Sequence, residues 1–121
     1  MYLQLRDVKR SIRVATHAAI YEQAAEFRSH LVEYPDLRKY FFDGVEISAA
    51  DENYSRVMTL AEIFLNYLEH IAVLGESFGS ENKPALELFI RTALKSSPIL
   101  RQHLTESPEL YSDSLRQISR G

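Results

Sequence analysis

Cysteine and tryptophan are both absent from this chain, which has only four glycines and four prolines in 121 residues. Without thiols there is no disulfide framework, no thiolate zinc site and no cysteine nucleophile, and a reducing cytoplasm is the compatible setting. So few glycines and prolines leave little room for loops. No run of 18 apolar residues occurs and the N-terminus has no apolar signal stretch. The chain as written is therefore expected neither to span a membrane nor to be exported by a signal peptide. Glycine-rich phosphate loops and a serine in a nucleophile turn are also missing, so no motif assigns an activity. The net charge of -3 lacks the basic excess with which nucleic-acid binders displace counterions, and argues against that class of partner.

What the chain does have is helical periodicity. Its 45% hydrophobic and 26% charged residues match an ordinary globular composition, and its length fits a single domain over residues 1–121. From residue 51 to 78, Val57, Leu60, Ala61, Phe64, Tyr67, Leu68, Ile71, Leu74 and Phe78 recur at three- and four-residue spacing. Met58, Leu65 and Ala72 widen that arc, leaving Arg56, Thr59, Glu62, Asn66, Glu69 and His70 as a narrow polar seam. A helix this broadly apolar belongs at the centre of a bundle. Ser48 and Asp51 look like the capping pair that starts it.

A first long helix is expected from about Leu5 to Glu33, with His17, Ile20, Tyr21, Ala24, Phe27, Leu31 and Tyr34 on one stripe. Pro35 ends it and opens a short helix to Phe42, which Asp43 and Gly44 terminate through a left-handed cap. Gly75 to Lys83 reads as the clearest loop, with Phe78 folding back onto the core. Pro84 to Ser96 reads as a helix with Leu86, Phe89, Ile90, Ala93 and Leu94 inward and Glu87, Arg91 and Lys95 outward as i, i+4 partners. Ser97-Pro98 and Ser107-Pro108 each pair an N-cap serine with proline at the first helical position, predicting helices near 98–105 and 108–119, with fraying from Ser119. Pro35-x-Leu37-Arg38-x-x-Phe41 and Pro98-x-Leu100-Arg101-x-x-Leu104 echo one another. That fits either two duplicated helix-plus-cap units, with the arginines answering acidic partners, or any two short proline-started helices that pack one face.

The segments Pro35-x-Leu37-Arg38, Arg56-Val57 to Leu60-Ala61-Glu62, and Ser97-Pro98-x-Leu100-Arg101 followed by Tyr111 resemble a group of small uncharacterised helical proteins from bacteria. Those proteins often carry tryptophans near the penultimate helix and a hydrophobic N-terminal anchor, neither of which this sequence contains. The resemblance implies an all-helical fold and no activity.

Three sets of side chains could carry chemistry. Glu62, Glu69 and His70 in the polar seam combine carboxylate and imidazole on one helical face, the donor types of a divalent metal or proton-transfer site. The Glu-x-x-His spacing of di-iron bundles is absent, and the same seam reads equally as a solvated face. Glu22, Glu26 and His30 make a second acidic face, and His17 sits beside the apolar stripe as a base, a ligand or a partly buried structural imidazole. Arg6, Lys9, Arg10 and Arg13 stand against only Asp7 in residues 1–13, opposite an apolar face of Leu5, Val8, Ile12 and Ala15. Such a basic amphipathic extension of the first helix suits an anionic membrane surface or an acidic partner.

The sequence thus predicts an all-α, small antiparallel bundle with two or three long helices and several short proline-initiated ones. A homodimer would supply cover for a central helix that two neighbours cannot enclose. The functional expectation is a non-enzymatic interaction or regulatory module with no cofactor, cytoplasmic or peripheral to the membrane. The alternatives are a peripheral membrane protein held by the basic N-terminal helix, and a carboxylate–histidine metal enzyme.

Overall fold

The computed structural model describes the backbone of residues 2–78 and 83–120, and the side chains of residues 18–74 and 83–120. The protein is all-α: among the described residues there are six α-helices, two short 3-10 turns and no strand. Helix α1 is Tyr2–Glu33, α2 is Lys39–Phe42, α3 is Tyr54–Phe78, α4 is Lys83–Ser96, α5 is Pro98–Glu106 and α6 is Asp113–Arg120.

Helix α3 is the hub. Val57, Leu60, Ala61, Phe64, Leu65, Leu68, Ile71 and Ala72 are all buried, and α1, α4, α5 and α6 all pack against it. Four neighbours rather than two pack on it, because the short C-terminal helices take part of its surface. Tyr54–Leu74 is long and apolar enough to cross a membrane by length and composition, with a mean hydropathy of 1.4. In this fold that apolar surface forms the floor under the other helices.

Three contacts set the register of α1 on α3. Arg56 lies over the Tyr34 ring, Phe64 packs edge-on to Phe27, and His70 meets Gln23, so the two helices run in opposite senses. At 1.5 Å per residue in both helices, this register brings Phe78, the end of α3, opposite the fourth turn of α1. The preceding stretch, about 13 residues or roughly 20 Å of helix, has no counterpart on α3. Tyr67 meets Phe89, and Ile71 and Leu86 line one cavity, so α4 runs back along α3.

Several boundaries differ from the sequence reading, each for a local reason. Helix α3 begins at Tyr54, because Ser48 and Asp51 make tight turns with Ala50, Asp51 and Asn53 ahead of it. It also continues through Gly75 to Phe78, since one glycine costs a helix only about 1 kcal/mol and the apolar repeat runs on beyond it. The Phe78 side chain and residues 79–82 lie outside the described residues. The Pro35 segment divides at Arg38 into a 3-10 turn over Pro35–Leu37 and the single turn of α2, an arrangement that buries Leu37, Tyr40 and Phe41 together. Gly44, at φ +72°, supplies the left-handed residue after α2 as expected.

At the C-terminal end the two Ser-Pro starts diverge. Ser97 caps α5, accepting the Leu100 N–H on its hydroxyl. Ser107 makes no such bond; Pro108–Leu110 is only a 3-10 turn that leaves Leu110 exposed. Ser112 starts α6 instead, accepting the Leu115 N–H on its hydroxyl and the Arg116 N–H on its carbonyl. The last helix extends through Arg120. Among the described residues neither Arg38 nor Arg101 pairs with an acid: Arg38 stacks on Phe42 at 4.7 Å, while Arg101 donates to the carbonyls of Leu94 and Lys95. The two echoing segments therefore share a sequence pattern and neither a helical form nor an arginine role.

Candidate functional site

The polar seam of α3 is divided between two neighbours. Glu69 turns toward α6, where its carboxylate accepts the backbone N–H of Ser112. His70, one residue on and so 100° around the helix, turns toward α1, with Nδ1 donating to Gln23 Oε1 at 2.7 Å. Glu62 and Asn66 are exposed. Among the described residues no three His, Cys, Asp or Glu side chains gather closely enough to hold a metal ion. Glu69 and His70 thus each tie α3 to another helix, and their donor atoms face different elements. On α1, Glu22 and Glu26 are exposed and His30 is half-buried. The side chains of Arg6, Lys9, Arg10, Arg13 and His17 lie outside the described residues, although the backbone that carries them is helical.

A buried polar pair behind this seam went unrecognised in the sequence. His103 is buried, its Nε2 has no partner among the described residues, and its ring stands edge-on to Tyr111 at 5.8 Å. The signal was available in the spacing, since His103 completes the apolar face of Ile99, Leu100 and Leu104. The surface cavities between α3, α4 and α6, beside α2, between α4, α5 and α6, and between α1 and α3 are lined by other residues.

Burial, reinforced by the charges of Glu62 and Glu69, pushes the Tyr111 hydroxyl up to about 12. Burial also raises Tyr67 above the ordinary tyrosine value, opposed by Arg28 and assisted by Tyr21. In the unfolded chain both hydroxyls ionise near pH 10, before their folded counterparts do. The contribution of these two hydroxyls to stability is then constant below pH 10 and is lost as pH rises from about 10 towards 12. Urea denaturation across that window should show the fall, and Tyr111→Phe should flatten it. A Tyr111→Phe profile that parallels the parent's would contradict the assignment.

The feature that reaches the surface is aromatic. Phe27, Phe41, Phe42 and Phe64 form a cluster, Phe64 passes contact to Tyr67, and Tyr67 meets Phe89 edge-on at 6.2 Å. The seam runs from α1 and α2 across α3 to α4. Phe27, Phe41 and Phe64 are buried and Tyr67 is half-buried, yet Phe42 is 41% and Phe89 46% exposed, and Tyr21, whose hydroxyl influences Tyr67, is 74% exposed. Phe89 was expected to face inward; it lies at the rim because Ile90 and Leu94 take the buried face of α4.

No protein-family model, curated protein or solved structure matches the chain.

Proposed function

We propose that this protein is a non-enzymatic helical interaction module, and that the aromatic seam ending at Phe42 and Phe89 is its docking surface. The carrying observation is that a continuous chain of ring contacts reaches solvent at Phe42 and Phe89, while Glu69 and His70 of the polar seam are engaged in ties between helices. Aromatic anchors of this kind supply most of the energy of helix-in-groove recognition.

The occupant we propose is the N-terminal stretch of α1 from a second copy. It overhangs α3 by about 13 residues at the observed register. Its sequence repeats Leu5, Val8, Ile12 and Ala15 at helical spacing, and its charge complements the remainder, where ten Lys and Arg stand against sixteen Asp and Glu. On α1, Glu22 and Glu26 are exposed acids one turn apart. A two-fold arrangement lets each copy give and receive one such helix.

Light scattering on the intact chain should give a dimer mass. Phe89→Asp, and separately Val8→Asp with Ile12→Asp, should each weaken dimerisation at least tenfold, about 1.4 kcal/mol. Mixing the two variants should restore one of the two docking contacts and give heterodimers. A monomeric parent at high concentration, or no complementation on mixing, would remove the proposal. The same overhang supports a second reading, attachment to an anionic membrane surface through Arg6, Lys9, Arg10 and Arg13. Salt-sensitive co-sedimentation with anionic but not neutral vesicles, lost when these four are Glu, would favour it over self-association.

A further inference from the structure

At the opposite end of α4 from its first turn, α4, α5 and α6 line an open surface cavity of about 850 Å³. Its charge is one-sided. Arg91 and Lys95 from α4, Arg101 from α5, and Arg116 and Arg120 from α6 line it, and no acidic residue does. That is five cations in one cavity of a chain whose net charge is -3. Arg91 pairs with Glu87 and Arg116 with Asp113, both of which sit outside the lining. Among the described residues no carboxylate lies within ion-pair distance of Lys95, Arg101 or Arg120.

The cavity is also held in shape. The Arg101 guanidinium donates to the carbonyls of Leu94 and Lys95, both at 2.7 Å, which fixes α5 against the end of α4 and keeps the cation at the wall. These are neutral acceptors, so the charge of Arg101 stays uncompensated. Arg116 Nε is buried without a partner, an orphan donor on another lining residue. Between the cations the lining is made by the apolar Leu94, Leu104 and Pro108 and the hydroxyl-bearing Thr105 and Ser119. A site this size, with an apolar floor and a few convergent charges, has the proportions of a small-molecule pocket.

We infer that this cavity binds a phosphate monoester with an apolar tail, taken up as a single molecule from solution. The phosphate class follows from charge: a dianion answers several unpaired cations better than a carboxylate does, and guanidinium forks match its oxygens. The tail follows from the floor, which a free inorganic anion would leave uncovered.

The test is amide-resolved NMR titration of the full chain with octyl phosphate below its micelle concentration, alongside inorganic phosphate and octanol. Octyl phosphate should shift the amides of α5 and α6 saturably, with an affinity at least tenfold above that of either half alone. Lys95→Glu with Arg120→Glu, neither of which makes a side-chain bond among the described residues, should lower that affinity at least tenfold. Thr105→Trp, an exposed lining position, should block the tail without changing any charge. The inference is overturned if the Glu variant binds as the parent does, if inorganic phosphate binds as tightly as octyl phosphate, or if the shifts centre on the basic segment of α1. It is equally overturned if binding occurs only to phosphatidic acid vesicles, since that is adsorption to a surface.

Discussion

Phe64→Ala should lower the unfolding free energy by roughly 4 kcal/mol, the range for emptying a buried aromatic site. Phe64 is the junction of the aromatic cluster: its ring lies 4.5 Å from Phe27, 6.2 Å from Phe42 and from Tyr67, and 6.3 Å from Phe41. Those four rings come from α1, α2 and α3, so truncation removes the contact each makes with a common partner. Because ring pairs in edge-on geometry contribute about 0.5–1.5 kcal/mol beyond area burial, the loss should sit at the upper end of the core-truncation range. A domain of this length has a total stability of roughly 6–18 kcal/mol, so the variant should remain folded at low temperature and melt roughly 15 °C earlier. Thermal and urea denaturation measure both quantities. A loss below about 1.5 kcal/mol would mean that the four rings do not converge on Phe64.

The second large effect separates two serines that the sequence presents as equivalents. Ser97→Ala should cost about 2–3 kcal/mol, whereas Ser107→Ala should change stability by no more than about 0.5 kcal/mol. Ser97 is fully buried, and its hydroxyl donates to the Tyr40 carbonyl at 2.7 Å while accepting the Leu100 N–H. A reciprocal bond runs beside it, from the Gly44 N–H to the Ser96 carbonyl. Together they join the end of α2 to the bend between α4 and α5, positions more than fifty residues apart. Alanine at 97 strands the Tyr40 carbonyl in the interior and removes the cap of α5. Ser107 makes no side-chain cap bond and stands before a 3-10 turn, so its hydroxyl has nothing comparable to lose. Equal effects at the two sites would contradict the fold at this junction.

Why the two Ser-Pro pairs differ is not written in either tetrapeptide. After Ser97, residues Ile99, Leu100, His103 and Leu104 keep a buried face for a full helix, and packing carries the cap into an α-helix. After Ser107, only Tyr111 reaches the core before Leu115, and Leu110 is turned out to solvent. Propensity offers both segments the same start, and burial decides whether it continues. The same rule explains α3, where apolar repetition overrode the glycine at 75.

The candidate sites were legible to unequal degrees. Glu69 and His70 were visible as a polar seam because their spacing excludes them from the apolar arc. Their separation toward Ser112 and Gln23 depends on which helices flank α3, information carried by residues 43 and 47 positions away in the chain. The cationic cavity was invisible for a related reason. Arg91 and Lys95 read as a helical ion-pair face, Arg101 as half of an internal echo, Arg116 as part of a terminal helix and Arg120 as its fraying end. Nothing in their sequence spacing says that three elements bring them to one cavity.

The sequence by itself determined the all-α class, the central place of α3 and most of its buried residues, since a 3.6-residue apolar period can be satisfied only by a helix that buries that face. It also determined the left-handed residue at Gly44 and the cap at Ser97, because those depend on local backbone chemistry. Only the tertiary structure decided that four helices cover α3, that the aromatic seam opens at Phe89, that His103 is buried beside Tyr111, and that five cations share one cavity. Each of these is a relation between faces of different helices, and a face acquires its meaning from the helix packed against it.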